Sequence, residues 1–160
     1  MKTLFNPTRL LFQSSSLIII LFFFNYQLSG QIPIGSPIVG DATYDRLGQA
    51  SAISKDGTHI ALGAFQNDAG GTDAGHVQVY KNISGTWTQV GTDLLGTAGE
   101  LFGWSVSLNA DGSRVAIGGF AGGTLYNGVA RIYEQNGGVW TQVGGDIFGV
   151  DNFDHGGYSI

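Results

Sequence analysis

At 160 residues, with 42% apolar residues, 27 glycines and only 3 prolines, the chain can bury a core and is too hydrophobic for a disordered glycine-rich linker. Its glycines follow no G-X-Y period, which excludes collagen, and the lack of cysteine excludes disulfides, thiolate metal sites and a lipid-modified cysteine. A formal net charge of −5 without any lysine–arginine cluster sets the chain against nucleic acid and anionic membrane surfaces.

Residues 1–30 read as a signal peptide. Lys2 and Arg9 make a positive start, residues 17–24 form an unbroken apolar run, and Ser29 and Gly30 supply small residues before a mature start at Gln31. That run is far shorter than the roughly 20 apolar residues that cross a bilayer, so no membrane insertion is expected after cleavage. An uncleaved anchor is the competing reading. Once residues 1–30 leave, five basic residues face twelve acidic ones, a balance near −7. The expected location is secreted or at the cell surface.

Residues 31–46 follow as a lead-in, expected to hold a short strand and a linker, and include the partial motif Ile34-Gly35-Ser36-Pro37-Ile38-Val39-Gly40. The chain then aligns with itself. Leu47-Gly48 through Asp56-Gly57 to Ala61, Gly63 and Ala64 matches Phe102-Gly103 through Asp111-Gly112 to Ala116, Gly118 and Gly119, at an offset of 55. Gly75-His76-Val77-Gln78-Val79-Tyr80 matches Gly128-Val129-Ala130-Arg131-Ile132-Tyr133, and Trp87 to Gly96 matches Trp140 to Gly149, both at an offset of 53. The two-residue slip falls between Ala64 and Gly75, where a variable loop is expected. The organisation is therefore repeat 1 over 47–101, repeat 2 over 102–156, and the opening of a third repeat at 157–160.

Each repeat predicts four short strands. In repeat 1 they are 49–54, 59–65, 76–81 and 86–94; in repeat 2 they are 104–108, 114–118, 129–134 and 139–148. Asp56-Gly57 and Asp111-Gly112 are hairpin turns whose glycines tolerate positive φ. Ile60, Leu62 and Ala64 share one strand face, as do Val77 and Val79. Nothing after residue 31 keeps a 3.6-residue apolar period, so no helix is predicted there. The expected fold class is all-β: four-stranded antiparallel blades of a β-propeller, about two and a third blades, with the ring not closed. The small Ala61/Ala116 and Gly63/Gly118 suit innermost strands, and Tyr80/Tyr133 and Trp87/Trp140 suit wider outer positions.

At these residues the chain resembles the FG-GAP repeat, the blade unit of integrin-α-type propellers and of many bacterial surface proteins. Phe102-Gly103 and Gly118-Gly119-Phe120 carry the likeness in repeat 2; Leu47-Gly48, Gly63-Ala64-Phe65 and the Gly75 to Tyr80 strand carry it in repeat 1. The resemblance spans residues 32–160 and implies an N-terminal portion of a long secreted repeat protein. Many blades of that family hold calcium in an Asp-rich hairpin loop. Here Ser54-Lys55-Asp56-Gly57 and Asn109-Ala110-Asp111-Gly112 offer one carboxylate each, too few for an ion that takes six to eight oxygens, so no calcium is expected.

Other candidates are weaker. The loop Asn67-Asp68 to Asp73 and His76 could line a metal or sugar site, but its counterpart over 121–127 carries no acid, and a solvated loop is the favoured reading. His155, beside Asp154, is a similar candidate, and His59 is expected at the surface. No Gly-x-Ser-x-Gly elbow, phosphate loop or dinucleotide fingerprint is present. Asn82-Ile83-Ser84 is a formal glycosylation sequon without expected meaning in a bacterium. The sequence thus assigns no catalytic, cofactor-binding or metal residue and no cofactor. It predicts a non-catalytic binding or adhesion scaffold for an unknown protein or carbohydrate ligand, with self-association of the chain. The alternatives are the propeller part of a larger secreted enzyme, for instance polysaccharide-active, with catalytic residues beyond Ile160, and a truncated product without function.

Overall fold

Period-two alternation of β-branched and small residues, punctuated by Asp-Gly and Gly-Gly turns, produces ten strands and no helix among the described residues. A computed structural model describes residues 32–123 and 126–160. The signal-peptide expectation lies outside them. Repeat 1 supplies β1 (Ala50–Ile53), β2 (His59–Ala64), β3 (His76–Ile83), β4 (Thr86–Gln89) and β5 (Leu94–Leu95). Repeat 2 supplies β6 (Phe102–Leu108), β7 (Arg114–Gly119), β8 (Val129–Asn136), β9 (Val139–Gln142) and β10 (Ile147–Phe148). Each set forms one five-stranded antiparallel sheet: β1-β2-β3-β4 with β5 also on β3, and β6-β7-β8 with both β9 and β10 on β8.

Two expectations need correction. The single last strand predicted over 86–94 and 139–148 is broken in both repeats: β4 pairs the C-terminal half of β3 and β5 its first two residues, as β9 and β10 do on β8. Gly91 and Gly144, at φ +74° and +75°, turn the chain out of line between the two pieces. Residues 34–46 contain bends and turns but no strand. In addition, Ala61, Gly63, Ala116 and Gly118 lie on the second strand of each sheet, inside the edge strands β1 and β6.

Residues Ile34–Ile160 form one compact unit. Its core joins Ala61, Val77, Val79 and Leu94 of the first sheet to Phe102, Val106, Val115 and Ile117 of the second. Strand register places the first four on a single face, with Ala50, Ala52 and Gly63. It places the second four on a single face with Leu108, Arg131 and Tyr133. These are opposite faces of the repeat: Ala61 corresponds to Ala116, which points away from the junction. The sheets therefore stack head to tail rather than face to face. The same face that is buried on the first sheet stays open on the second. Val79 is 2% exposed and its counterpart Ile132 is 36%; Leu94 is 7% exposed and Ile147 is 57%.

The junction is tight because glycine brings backbone against backbone. A Cβ on Gly63 would collide with the Gly103 carbonyl, and one on Gly118 with the Gly157 carbonyl. Phe102 donates its N–H to the Ala74 carbonyl at 2.9 Å, and Gly156 donates to Asn127 at 2.8 Å. Trp87 Nε1 donates to the Ile34 carbonyl at 3.1 Å, and Trp140 Nε1 to the Val90 carbonyl at 2.7 Å. Gly35 and Gly91 lie beneath those two indole rings. Residues 34–35 and 156–157 thus make the contacts that full repeats make at the same positions.

Candidate functional site

In repeat 2 the described residues of the connection from β7 to β8 cap a cleft beside residues 97–100, the connection from repeat 1. In repeat 2 the cleft encloses about 520 Å³ and is lined by Glu100, Gly122, Tyr126, Arg131, Asp146 and Phe148, among others. Arg131 crosses it. Its Nε and Nη2 donate to the two carboxylate oxygens of Asp146 at 2.8 and 2.9 Å. Its Nη1 lies 2.6 Å from Glu100 Oε1, a charge contact rather than a directed hydrogen bond. The guanidinium also stands 5.0 Å from the Phe102 ring centre. Burial opposes the charge on Arg131, but the Asp146 hydrogen bonds and the two carboxylates outweigh it and raise its pKa. The same hydrogen bonds lower that of Asp146. The fork geometry of arginine makes this a three-residue ion cluster.

Repeat 1 has the same place with different chemistry. Arg131 is replaced by Gln78, Asp146 by Asp93 and Val129 by His76. Asp93 is held as Asp146 is: Gln89 Nε2 donates to it at 2.6 Å, and Gln142 Nε2 donates to Asp146 at 2.8 Å. Asp41, from the lead-in, supplies a second carboxylate. Gln78 Nε2 spans the two acids with bonds of 3.3 Å each, and Tyr80 donates its hydroxyl to Gln78 Oε1 at 2.9 Å. His76 is 1% exposed, its Nδ1 lies 3.6 Å from Asp93 Oδ2, and no hydrogen-bond partner reaches that nitrogen among the described residues. At 3.6 Å the contact is beyond hydrogen-bond range.

The 67–76 loop is therefore divided. Asp68 accepts the Asp73 N–H at 2.8 Å, Asn67 caps Ala69 and donates to the buried Asp45 at 2.7 Å, and these contacts keep the loop in shape. The histidine alone turns toward Asp41 and Asp93. Sequence reasoning missed that grouping because Asp41 and Asp93 lie 35 and 17 positions from His76: β3–β5 pairing brings Asp93 close, and the lead-in brings Asp41. One signal was present: the repeats differ at Gln78/Arg131 and His76/Val129, the two positions that change the charge of the cleft.

The remaining histidines stand elsewhere. His155 meets the Phe120 ring at 5.6 Å, as Arg46 meets Phe65, its counterpart one repeat earlier, at 5.6 Å. Trp104 lies between the repeats, 4.8 Å from Phe65, 4.5 Å from Phe120 and 5.7 Å from Tyr158. His59 is not a plain surface residue: it is half-buried against Gly112 of the next hairpin. Burial first, then Lys81, lowers its pKa. Its Nδ1 lies 2.8 Å from the Thr58 hydroxyl, but Asp56 bonds that hydroxyl rather than the imidazole. A triad needs the acid to orient the base, so this trio is turn structure. Asp56 and Asp111 are likewise engaged within their own turns by Ser54, Thr58 and Ser113.

Fold and side-chain clusters together define an all-β protein of two head-to-tail antiparallel sheets, each with a group of polar side chains at the corresponding place. Comparison with known protein families and with curated proteins gave no match.

Proposed function

We propose that this is an exported FG-GAP-type repeat protein whose sheets are consecutive propeller blades and whose role is to bind an extracellular protein or carbohydrate. The observation that carries the reading is the head-to-tail junction. Its glycine contacts, backbone bonds and indole–carbonyl bonds recur from the lead-in to repeat 1, from repeat 1 to repeat 2, or from repeat 2 to residues 156–157. A sandwich closes on its two inner faces, whereas a stack of this kind presents the same acceptor face at every step, as radial blades require.

Binding rather than catalysis is supported by the loop end. Tyr126 and Phe153, 60% and 66% exposed, stack at 6.2 Å with planes 7° apart beside the repeat 2 cleft. Exposed aromatic faces above fixed polar groups suit a sugar ring or a protein loop. The acids of that cleft are held in ion pairs with Arg131.

The test is titration of labelled chain against a panel of polysaccharides and extracellular-matrix proteins, with product release followed in the same samples. Saturable micromolar binding is expected, with Tyr126→Ala about 10-fold weaker through loss of one stacking face. Release of reducing ends or peptides would overturn the reading, as would binding that Tyr126→Ala leaves unchanged.

A further inference from the structure

The cleft of repeat 2 carries its own cation, Arg131, and among the described residues the corresponding place in repeat 1 carries the neutral Gln78 instead. In repeat 2 the guanidinium of Arg131 pairs with both Asp146 and Glu100, from 2.6 to 2.9 Å. In repeat 1 the corresponding side chain is the neutral amide of Gln78, yet two carboxylates still converge there. The third group is His76, almost wholly buried, with an Nδ1 that has no hydrogen-bond partner among the described residues. A buried nitrogen without a partner costs about 1–3 kcal/mol, so a protein that retains one is expected to satisfy it in another state.

We infer that Asp41, His76 and Asp93 form a divalent metal site that takes zinc or a similar transition ion. This inference is independent of the ligand the clefts bind. One ligand atom from each residue lies within 4.8 Å of the others. Bonds of about 2.0–2.2 Å place the ligands of a tetrahedral ion roughly 3.3–3.6 Å apart. The site therefore has to contract by about an ångström, and Asp41, exposed and on the lead-in, is the residue free to supply the movement. Asp93 is anchored by Gln89 and His76 by β3, so two ligands are already in place. Second-shell support of this kind holds ligands ready for an ion. One imidazole and two carboxylates leave the fourth position to water, an arrangement zinc accepts and calcium, with its demand for six to eight oxygens, does not.

The second repeat supplies the decisive variant. Gln78→Arg installs the cation of repeat 2 in repeat 1 and should displace the metal while leaving the fold in place. The experiment is calorimetric titration of zinc chloride into the metal-stripped full chain, with thermal unfolding followed with and without zinc. Wild type is expected to bind one zinc per chain and to gain about 5 °C or more in Tm at saturating ion. Asp41→Asn and Asp93→Asn should each weaken binding by about 100-fold. Gln78→Arg should unfold at a higher temperature than metal-free wild type and lose its response to zinc. Cobalt should give the intense visible bands of a four-coordinate ion in wild type alone. His155→Asn, which removes an exposed histidine outside the site, should bind zinc as wild type does. The proposal is overturned if wild type takes no stoichiometric zinc, if Gln78→Arg binds zinc as wild type does, or if calcium gives the same shift as zinc.

Discussion

Single polar side chains hold the hairpin turns together. Asp56 accepts hydrogen bonds from the Ser54 hydroxyl at 2.6 Å, the Thr58 N–H at 3.0 Å and the Thr58 hydroxyl at 2.9 Å. Those bonds, Ser54 first, lower its pKa from 3.8 to about 2. A carboxylate depressed in the folded chain adds stability that is complete above its unfolded value and is lost as pH falls through the folded one. The contribution of Asp56 is thus expected to disappear between about pH 4 and pH 2. Melting curves of wild type and Asp56→Asn should converge across that window; curves that stay parallel would contradict the assignment. The Asp-Gly pair was legible as a turn because the physics is local. That its acid would serve Ser54 and Thr58 was also within reach of the sequence, since all three lie within five residues.

At the scale of elements, the junction between sheets is set by residues that lack side chains. Gly63 has no positive φ, so its need for glycine is purely steric: the Gly103 carbonyl occupies the space a methyl group would take. Gly63→Ala should therefore destabilise the chain by about 3 kcal/mol or more, since backbone cannot move aside as a flexible side chain can. Gly145→Ala, where nothing lies within 4 Å, should change stability by under about 0.5 kcal/mol. Urea titration of the two variants separates the cases, and equal effects would remove Gly63 from the junction. The repeated Gly63/Gly118 pair was visible as a pattern, but its assignment to an innermost strand failed. Small size signals close approach without saying what approaches. The broken last strand was missed for a related reason: Gly91 and Gly144 sit in an otherwise strand-like run, and only pairing with two halves of β3 or β8 shows where the run divides.

At the scale of the whole molecule, the second sheet presents an apolar face that its counterpart buries. Ile132, Val139 and Ile147 are exposed there, beside Ala116 and Ala130 on the same face of the sheet. A patch of this kind is expected to favour association. The 160-residue chain should elute as concentration-dependent oligomers when size exclusion is coupled to light scattering. Ile132→Lys with Ile147→Lys should shift it toward monomer by placing charge on that face. A monodisperse wild-type monomer at high concentration would refute this.

Periodicity, turn chemistry and internal repetition are properties of neighbours along the chain, and from them the sequence by itself determined the all-β character, the two matched sets of strands, the absence of a helix among the described residues, and the hairpin turns. Which face of each sheet is buried, how closely the sheets approach, and which acids meet His76 depend on groups far apart in the chain. Asp41 and Asp93 become partners of His76 only after β5 pairs with β3 and the lead-in folds back over the first sheet. The tertiary structure alone decided those, because a one-dimensional pattern specifies which residues prefer burial but not which residues they will find there.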